Sequence, residues 1–228
     1  QEGEGRDLSE NYSSSLHQAQ NGAGEDQEGE GFMKIYQGLE QGTEEWLRVR
    51  LGKFTASDAQ AIAANGKGLE TLIYDKAAEI MTKRLPNQYS NVDLERGKEL
   101  EHLARNSYEM ETGNTVGEVG FIESDEYSGC SPDGLVGDDG LVEFKCPNDR
   151  VYLIYLYTGK VDTGYEWQMQ MQMLVSGREW VDYVAYNPNF ERCYVIKRIN
   201  RDEVKISKLK VGIAQATAQL QTILGALI

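Results

Sequence analysis

The chain has 228 residues, 40% of them hydrophobic and 26% charged, with 37 acidic against 23 basic side chains for a net charge of −14. That length and composition suit one well-cored domain, and no apolar run approaches the ~20 residues of a membrane-spanning helix. The three cysteines, Cys130, Cys146 and Cys193, are odd in number and widely spaced. They argue against a disulfide framework and against a four-cysteine zinc or iron–sulfur site, and fit a reducing cytoplasm.

Residues 1–32 are rich in Gly, Glu, Gln and Ser and poor in apolar side chains. They read as a disordered acidic tail or a tag, because little surface there can be buried to offset ordering entropy. No basic segment is followed by an apolar one, so this is not a secretory signal. Residues 33–228 read as a single domain. The body is still acidic, which counts weakly against nucleic-acid binding; a cluster of metal-binding carboxylates explains part of that charge.

The first helix is marked by Thr43 with Glu44 and Glu45 at its start, continues through Trp46, Leu47 and Arg50, and stops at Gly52. Thr55 and Asp58 form a capping pair for a short helix through Ala64. Leu69, Leu72, Ile73, Ala77, Ile80 and Met81 recur at helical spacing and predict a third helix ending before Pro86. Arg96–Thr112 predicts a fourth, ended by Gly113.

Val116–Ile122, Tyr127–Cys130 and Leu141–Cys146 are short and β-prone, with a tight turn at Gly137-Asp138-Asp139-Gly140. Tyr165–Val175 is long enough for a helix, but its Gln-Met alternation also fits a strand, and periodicity does not decide. Trp180–Tyr186 and Cys193–Ile199 read as strands. A long C-terminal helix follows from Asp202, with Leu209, Ile213, Ala216, Leu220, Ile223 and Leu224 on one face. The order of elements predicts an α/β fold with a central mixed sheet flanked by helices.

Chemistry concentrates between residues 131 and 145. Ser131-Pro132-Asp133-Gly134 is followed by Glu143-Phe144-Lys145. Glu143 and Lys145 are two apart in a strand and share a face. If the preceding segment folds back as a hairpin, Asp133 joins them. Two carboxylates are hard oxygen ligands for Mg²⁺ or Mn²⁺, with the Phe144 carbonyl as a further donor. Such an ion polarises a phosphodiester and acidifies a water, and Lys145 can orient or deprotonate that water or offset developing charge. An exposed Glu-x-Lys would be a surface salt bridge, but an acid and a base within Leu141–Cys146 need a partner or a task if the strand is covered. Glu101 can lean over the same site from the fourth helix. Gln168 and Gln172 lie one helical turn apart; alone they read as polar faces of a packing helix. His102 is read as satisfied or exposed. Lys197, Arg198, Arg201, Lys205, Lys208 and Lys210 read as a charge-balanced face.

Six motifs carry a resemblance: Arg48-Val49-Arg50-Leu51-Gly52, Thr55-Ala56-Ser57, Gly97-Lys98-x-x-Glu101, Cys130-Ser131-Pro132-Asp133-Gly134, Glu143-Phe144-Lys145-Cys146-Pro147 and Tyr165-x-x-Gln168-x-Gln170. Their order, from about Gly42 to Ser176, resembles that of the lambda exonuclease and YqaJ-type viral recombinase family, in the PD-(D/E)xK nuclease superfamily. The resemblance implies a restriction-endonuclease-like core and a Mg²⁺-dependent 5′-to-3′ exonuclease. Such an enzyme degrades one strand of linear double-stranded DNA to mononucleotides, leaving a 3′ overhang for strand annealing. It implies metal ligation by Asp133, Glu143 and the Phe144 carbonyl with Glu101 in support, and Lys145 as the catalytic lysine. Arg50, Ser57, Ser131 and Gln168 would recognise the terminal 5′-phosphate, with Tyr165 near the same pocket. It further implies a ring-shaped homotrimer, a single-strand annealing protein as partner, and a phage- or prophage-encoded protein acting in a bacterial cytoplasm. The alternatives are a PD-(D/E)xK endonuclease or RecB-type nuclease, and a non-catalytic module that binds DNA ends.

Overall fold

A computed structural model describes residues 33–85 and 92–227; the expected tail, residues 1–32, lies outside the described residues. Strand β1 (Lys34–Tyr36) leads to helix α1 (Glu44–Arg50), where the Thr43 hydroxyl accepts from the Trp46 N–H. Strand β2 (Phe54–Thr55) passes through a 3₁₀ turn at Ala56–Asp58 into α2 (Ala59–Ala64). The Asp58 carboxylate accepts from the Thr55 N–H at 2.8 Å, the expected capping pair. Helices α3 (Lys67–Thr82) and α4 (Val92–Thr112) follow, α4 starting before the expected Arg96. Next come β3 (Val116–Gly117), β4 (Phe121–Asp125), β5 (Ser128–Cys130), β6 (Gly134–Val136) and β7 (Gly140–Lys145). Helices α5 (Asp149–Thr158) and α6 (Thr163–Ser176) precede β8 (Trp180–Tyr186), β9 (Tyr194–Asn200) and α7 (Glu203–Leu227).

The α/β architecture matches expectation, with one refinement: the strands of the described residues form two sheets. Five strands run in the order β3-β6-β7-β8-β9, with β7 and β8 parallel and the other pairs antiparallel; four run in the order β1-β4-β5-β2. The expected single strand Val116–Ile122 is therefore corrected to two, one in each sheet. Gly120 marks the crossing: a Cβ there would stand 2.1 Å from the Leu39 carbonyl oxygen, so the two backbones pass too closely for any other residue. Helix α5 is unexpected, because Val-Tyr-Leu-Ile-Tyr-Leu-Tyr is β-prone. It is fixed by its ends: the Asn148 side chain accepts from the Val151 N–H, and Gly159 closes it in the left-handed region.

Alternation along β7 places the chemistry. Val142 and Phe144 face α4, joining Ala104 and Tyr108 in one apolar cluster. Leu141 faces the other side, with Tyr152, Tyr155, Met169 and Met173 from α5 and α6. Glu143 and Lys145 share that second face, as period two requires. A third cluster joins the four-stranded sheet to α2, α3 and α7 through Phe54, Ile62, Ile73, Ile122, Leu209 and Leu220. Helix α6 serves two clusters at once, Met171 and Val175 entering the third and Met169 and Met173 the second.

One buried polar network ties α4 to β8 and β9. Asp182, 3% exposed, accepts from the Tyr108 hydroxyl at 2.8 Å and holds Arg198 in a bidentate pair at 2.8 and 2.9 Å. Burial, followed by that hydrogen bond, pushes the Tyr108 phenol up to about 12. Arg198 also stacks on Trp180, and Arg201 and Lys205 pair with Glu203 and Glu166. This part of the C-terminal basic stretch is charge-balanced, as its sequence suggests.

Candidate active site

The β6–β7 hairpin pairs Gly134 with Val142, so Asp133 falls opposite Glu143. Gly134 is required: a Cβ there would lie 2.1 Å from Val116 Cγ1. The Phe144 N–H donates to Asp133 Oδ2 at 2.7 Å, fixing the carboxylate against the strand that carries the other two motif residues. Three further contacts brace the bend before Asp133. Arg105 donates to the Asp133 carbonyl at 2.8 Å, and Gln41 donates to the carbonyls of Pro132 and Val119 at 3.0 and 3.2 Å. No motif announces Arg105 or Gln41; their role follows from packing alone.

Glu143 is 1% exposed, which rules out the surface salt bridge. Its Oε1 accepts from Lys145 Nζ at 2.5 Å and from Gln168 Nε2 at 2.7 Å, and its Oε2 accepts from Gln172 Nε2 at 2.7 Å. Both glutamines come from α6. Gln168, expected on the phosphate, is thus held on the carboxylate in this structure. Gln172, expected as a polar face of a packing helix, is in contact with the carboxylate, and its i, i+4 spacing from Gln168 is the one local signal of that role. Lys145 Nζ lies 4.9 Å from the centre of the Tyr165 ring.

The electrostatics follow from this crowding. Burial, and then the Glu143 charge, pushes Asp133 well above the usual carboxylate range. Glu101 on α4 adds to that shift. Burial pulls the Lys145 ammonium down, but Glu143 and Asp133 outweigh it and hold the amine protonated. His102, next to Glu101, is exposed.

A second cluster adjoins the first through Ser131. The Arg50 guanidinium donates to Ser131 Oγ at 3.1 Å and to Thr55 Oγ1 at 3.4 Å, and stacks 4.0 Å from the Trp46 ring centre. Trp46 Nε1 donates to the same Ser131 Oγ at 2.9 Å. That oxygen therefore accepts twice, leaving its own proton to donate outward. Ser57 Oγ is 2.9 Å from Thr55 Oγ1 and exposed. Burial lowers the Arg50 pKa, with Asp58 opposing. Its direct partners among the described residues are hydroxyls and ring faces, so the cation is available to an anion. Burial pushes the Cys130 thiol up, with Arg50 opposing that shift and Glu143 adding to it.

Among the described residues no three His, Cys, Asp or Glu side chains form a ready-made metal cage. The oxygen donors at the bend and strand are two carboxylates, Asp133 and Glu143, and the Phe144 carbonyl.

The YqaJ-like viral recombinase domain model matches residues 45–179, a span that contains both clusters. The structure of an alkaline exonuclease (LHK-Exo) from Laribacter hongkongensis is 37% identical, covering 81% of this chain and 96% of that one, with a TM-score of 0.75. LHK-Exo in complex with dAMP gives a TM-score of 0.76 over the same shares. A phage-related exonuclease from Haemophilus somnus 129PT, 16% identical over 77% of this chain and 96% of that one, shares the fold at a TM-score of 0.55. A search of curated proteins found no match. With more than half its length matched by the family model, the chain belongs to the YqaJ-like viral recombinase family.

Proposed function

We propose that the protein is a divalent-metal-dependent exonuclease. It removes nucleotides from the 5′-phosphorylated strand of linear double-stranded DNA and leaves a 3′ overhang for strand annealing. The observation that carries this reading is the meeting of Asp133, Glu143 and Lys145 on one buried hairpin, with Arg50 and Ser131 next to it. LHK-Exo, 37% identical, is an alkaline exonuclease, and its complex with dAMP fits release of mononucleotides.

The donor set suits Mg²⁺, with Mn²⁺ substituting: Asp133, Glu143 and the Phe144 carbonyl would hold the ion and Glu101 would support it. Burial, and then the neighbouring carboxylate of Glu143, pushes Asp133 up, and a divalent cation would relieve the repulsion between the two carboxylates. Bound there, the ion supplies polarisation of a phosphodiester oxygen and a more acidic water. The protein's own groups do the rest. The Lys145 ammonium offsets charge that grows on the phosphate, a role that its protonated state favours over proton abstraction. Gln168 and Gln172 hold Glu143 still. Arg50, Ser131 and Ser57 offer a cation and hydroxyl donors to the terminal 5′-phosphate.

The test is linear duplex DNA with a 5′-phosphate, incubated with Mg²⁺ or with EDTA, beside a closed circular control. Metal-dependent release of mononucleotides from the 5′ strand alone is the expected result. Cleavage of the circle would move the assignment to an endonuclease. Within this reading, Arg50→Ala should reduce the preference for 5′-phosphate over 5′-hydroxyl ends by about tenfold, the worth of one charge-assisted hydrogen bond. The ratio of kcat/KM on the two ends measures it, and an unchanged ratio removes Arg50 from the pocket.

The proposal extends to a ring trimer handing its 3′ strand to a single-strand annealing protein. Val151, Leu153, Ile154 and Tyr157 on α5 are exposed and apolar, a surface suited to contact. Light scattering should give three times the chain mass; a monomer mass would discard the ring.

A further inference from the structure

The two oxygens of Glu143 are not equally engaged. Oε1 accepts from Lys145 and Gln168, whereas Oε2 accepts from Gln172. A carboxylate oxygen offers roughly two acceptor directions. Oε1 is therefore full, and Oε2 keeps one direction open. The group that decides where that direction points is the Gln172 amide.

Gln172 is fully buried on α6. Its nitrogen must face Glu143, because two acceptor oxygens would repel. Its own Oε1 is then buried with no hydrogen-bond partner, the one such side-chain atom among the described residues. An unpaired buried amide oxygen is costly, so Gln172 is not explained by its own satisfaction. Gln170 makes the contrast. It is equally buried, but its amide donates to the Asn200 carbonyl at 2.9 Å and accepts from the Asp202 N–H at 2.8 Å. That residue ties α6 to the start of α7 and is complete as it stands. Met169, Met171 and Met173 show what the same stretch of helix buries where no polar contact is needed.

We infer that Gln172 is a positioning residue for Glu143, turning Oε2 so that its open acceptor direction is offered to a divalent cation shared with Asp133. The inference rests on the metal-dependent reading above. Gln168 and Gln172, one helical turn apart, grip one oxygen each, so rotation of the carboxylate about its last torsion is blocked from both sides. Removing Gln172 frees Oε2 while Lys145 and Gln168 still hold Oε1. Loss of a hydrogen-bond partner to a ligating carboxylate typically weakens metal affinity by about 10- to 100-fold.

The experiment is Mn²⁺ titration calorimetry without DNA on the full chain, comparing wild type with Gln172→Met. Methionine conserves volume, removes the donor and also removes the orphaned oxygen. The expected result is a melting temperature in EDTA equal to or above wild type, together with an Mn²⁺ Kd weakened by about tenfold or more. Gln172→Leu provides the same comparison should the methionine variant fail to fold. An Mn²⁺ Kd within twofold of wild type overturns the inference. Wild-type protein that takes up no Mn²⁺ overturns the metal reading, and this inference with it, so the two failures are told apart.

Discussion

Lys145→Ala should lower turnover on linear duplex DNA by about 100- to 1,000-fold and leave binding to DNA ends in place. The ammonium is held protonated beside Glu143 and Asp133, so it acts as a fixed positive charge at the point where the phosphate gains negative charge. Its removal does not strand Glu143, whose two oxygens remain held by Gln168 and Gln172. The hairpin also survives, since the Phe144 N–H to Asp133 bond does not involve the side chain of residue 145. The loss should therefore appear in kcat with little change in KM, because the charge acts mainly in the transition state. Single-turnover nucleotide release measures the first, and fluorescence anisotropy of a labelled DNA end the second. Turnover within threefold of wild type would remove Lys145 from the chemistry.

Glu143→Ala should abolish activity and also destabilise the fold, by about 3–5 kcal/mol. The carboxylate is 1% exposed and is the acceptor for an ammonium and two amides. Truncation removes the acceptor from the partly buried Lys145 charge and strands the fully buried Gln172 donor, which costs more than the pair contributes when intact. On a chain of this size the melting temperature should fall by roughly 6–20 °C. Glu143→Gln should be equally inactive but more stable than the alanine variant: it fills the space, and its carbonyl can accept from one of the donors. Differential scanning calorimetry in EDTA separates this effect from metal binding. Equal melting temperatures for wild type and Glu143→Ala would mean that the donors around residue 143 find other partners.

The sequence by itself determined the local chemistry. Period two in a strand puts Glu143 and Lys145 on one face whatever surrounds them, and a Gly-Asp-Asp-Gly turn folds Asp133 back toward them. Helix starts at Thr43 and Thr55 were legible for the same reason: a cap is a contact over three residues. Helix α6 was not legible. Met169, Gln170, Met171, Gln172, Met173, Val175 and Ser176 are all buried, so no polar face marks a 3.6-residue period. Its helical state is decided by its place between two apolar clusters. The division of Val116–Ile122 between two sheets was equally hidden, since it depends on where Gly120 meets Leu39. The partners of Glu143 lie 25 and 29 residues away in Gln168 and Gln172, and those that brace Asp133 lie on α4 and before α1. Residue types and spacing name the groups that can react. Which groups hold them is set by packing between distant segments, and the spacing of Gln168 and Gln172 shows only that the two share a helix face, not what that face meets.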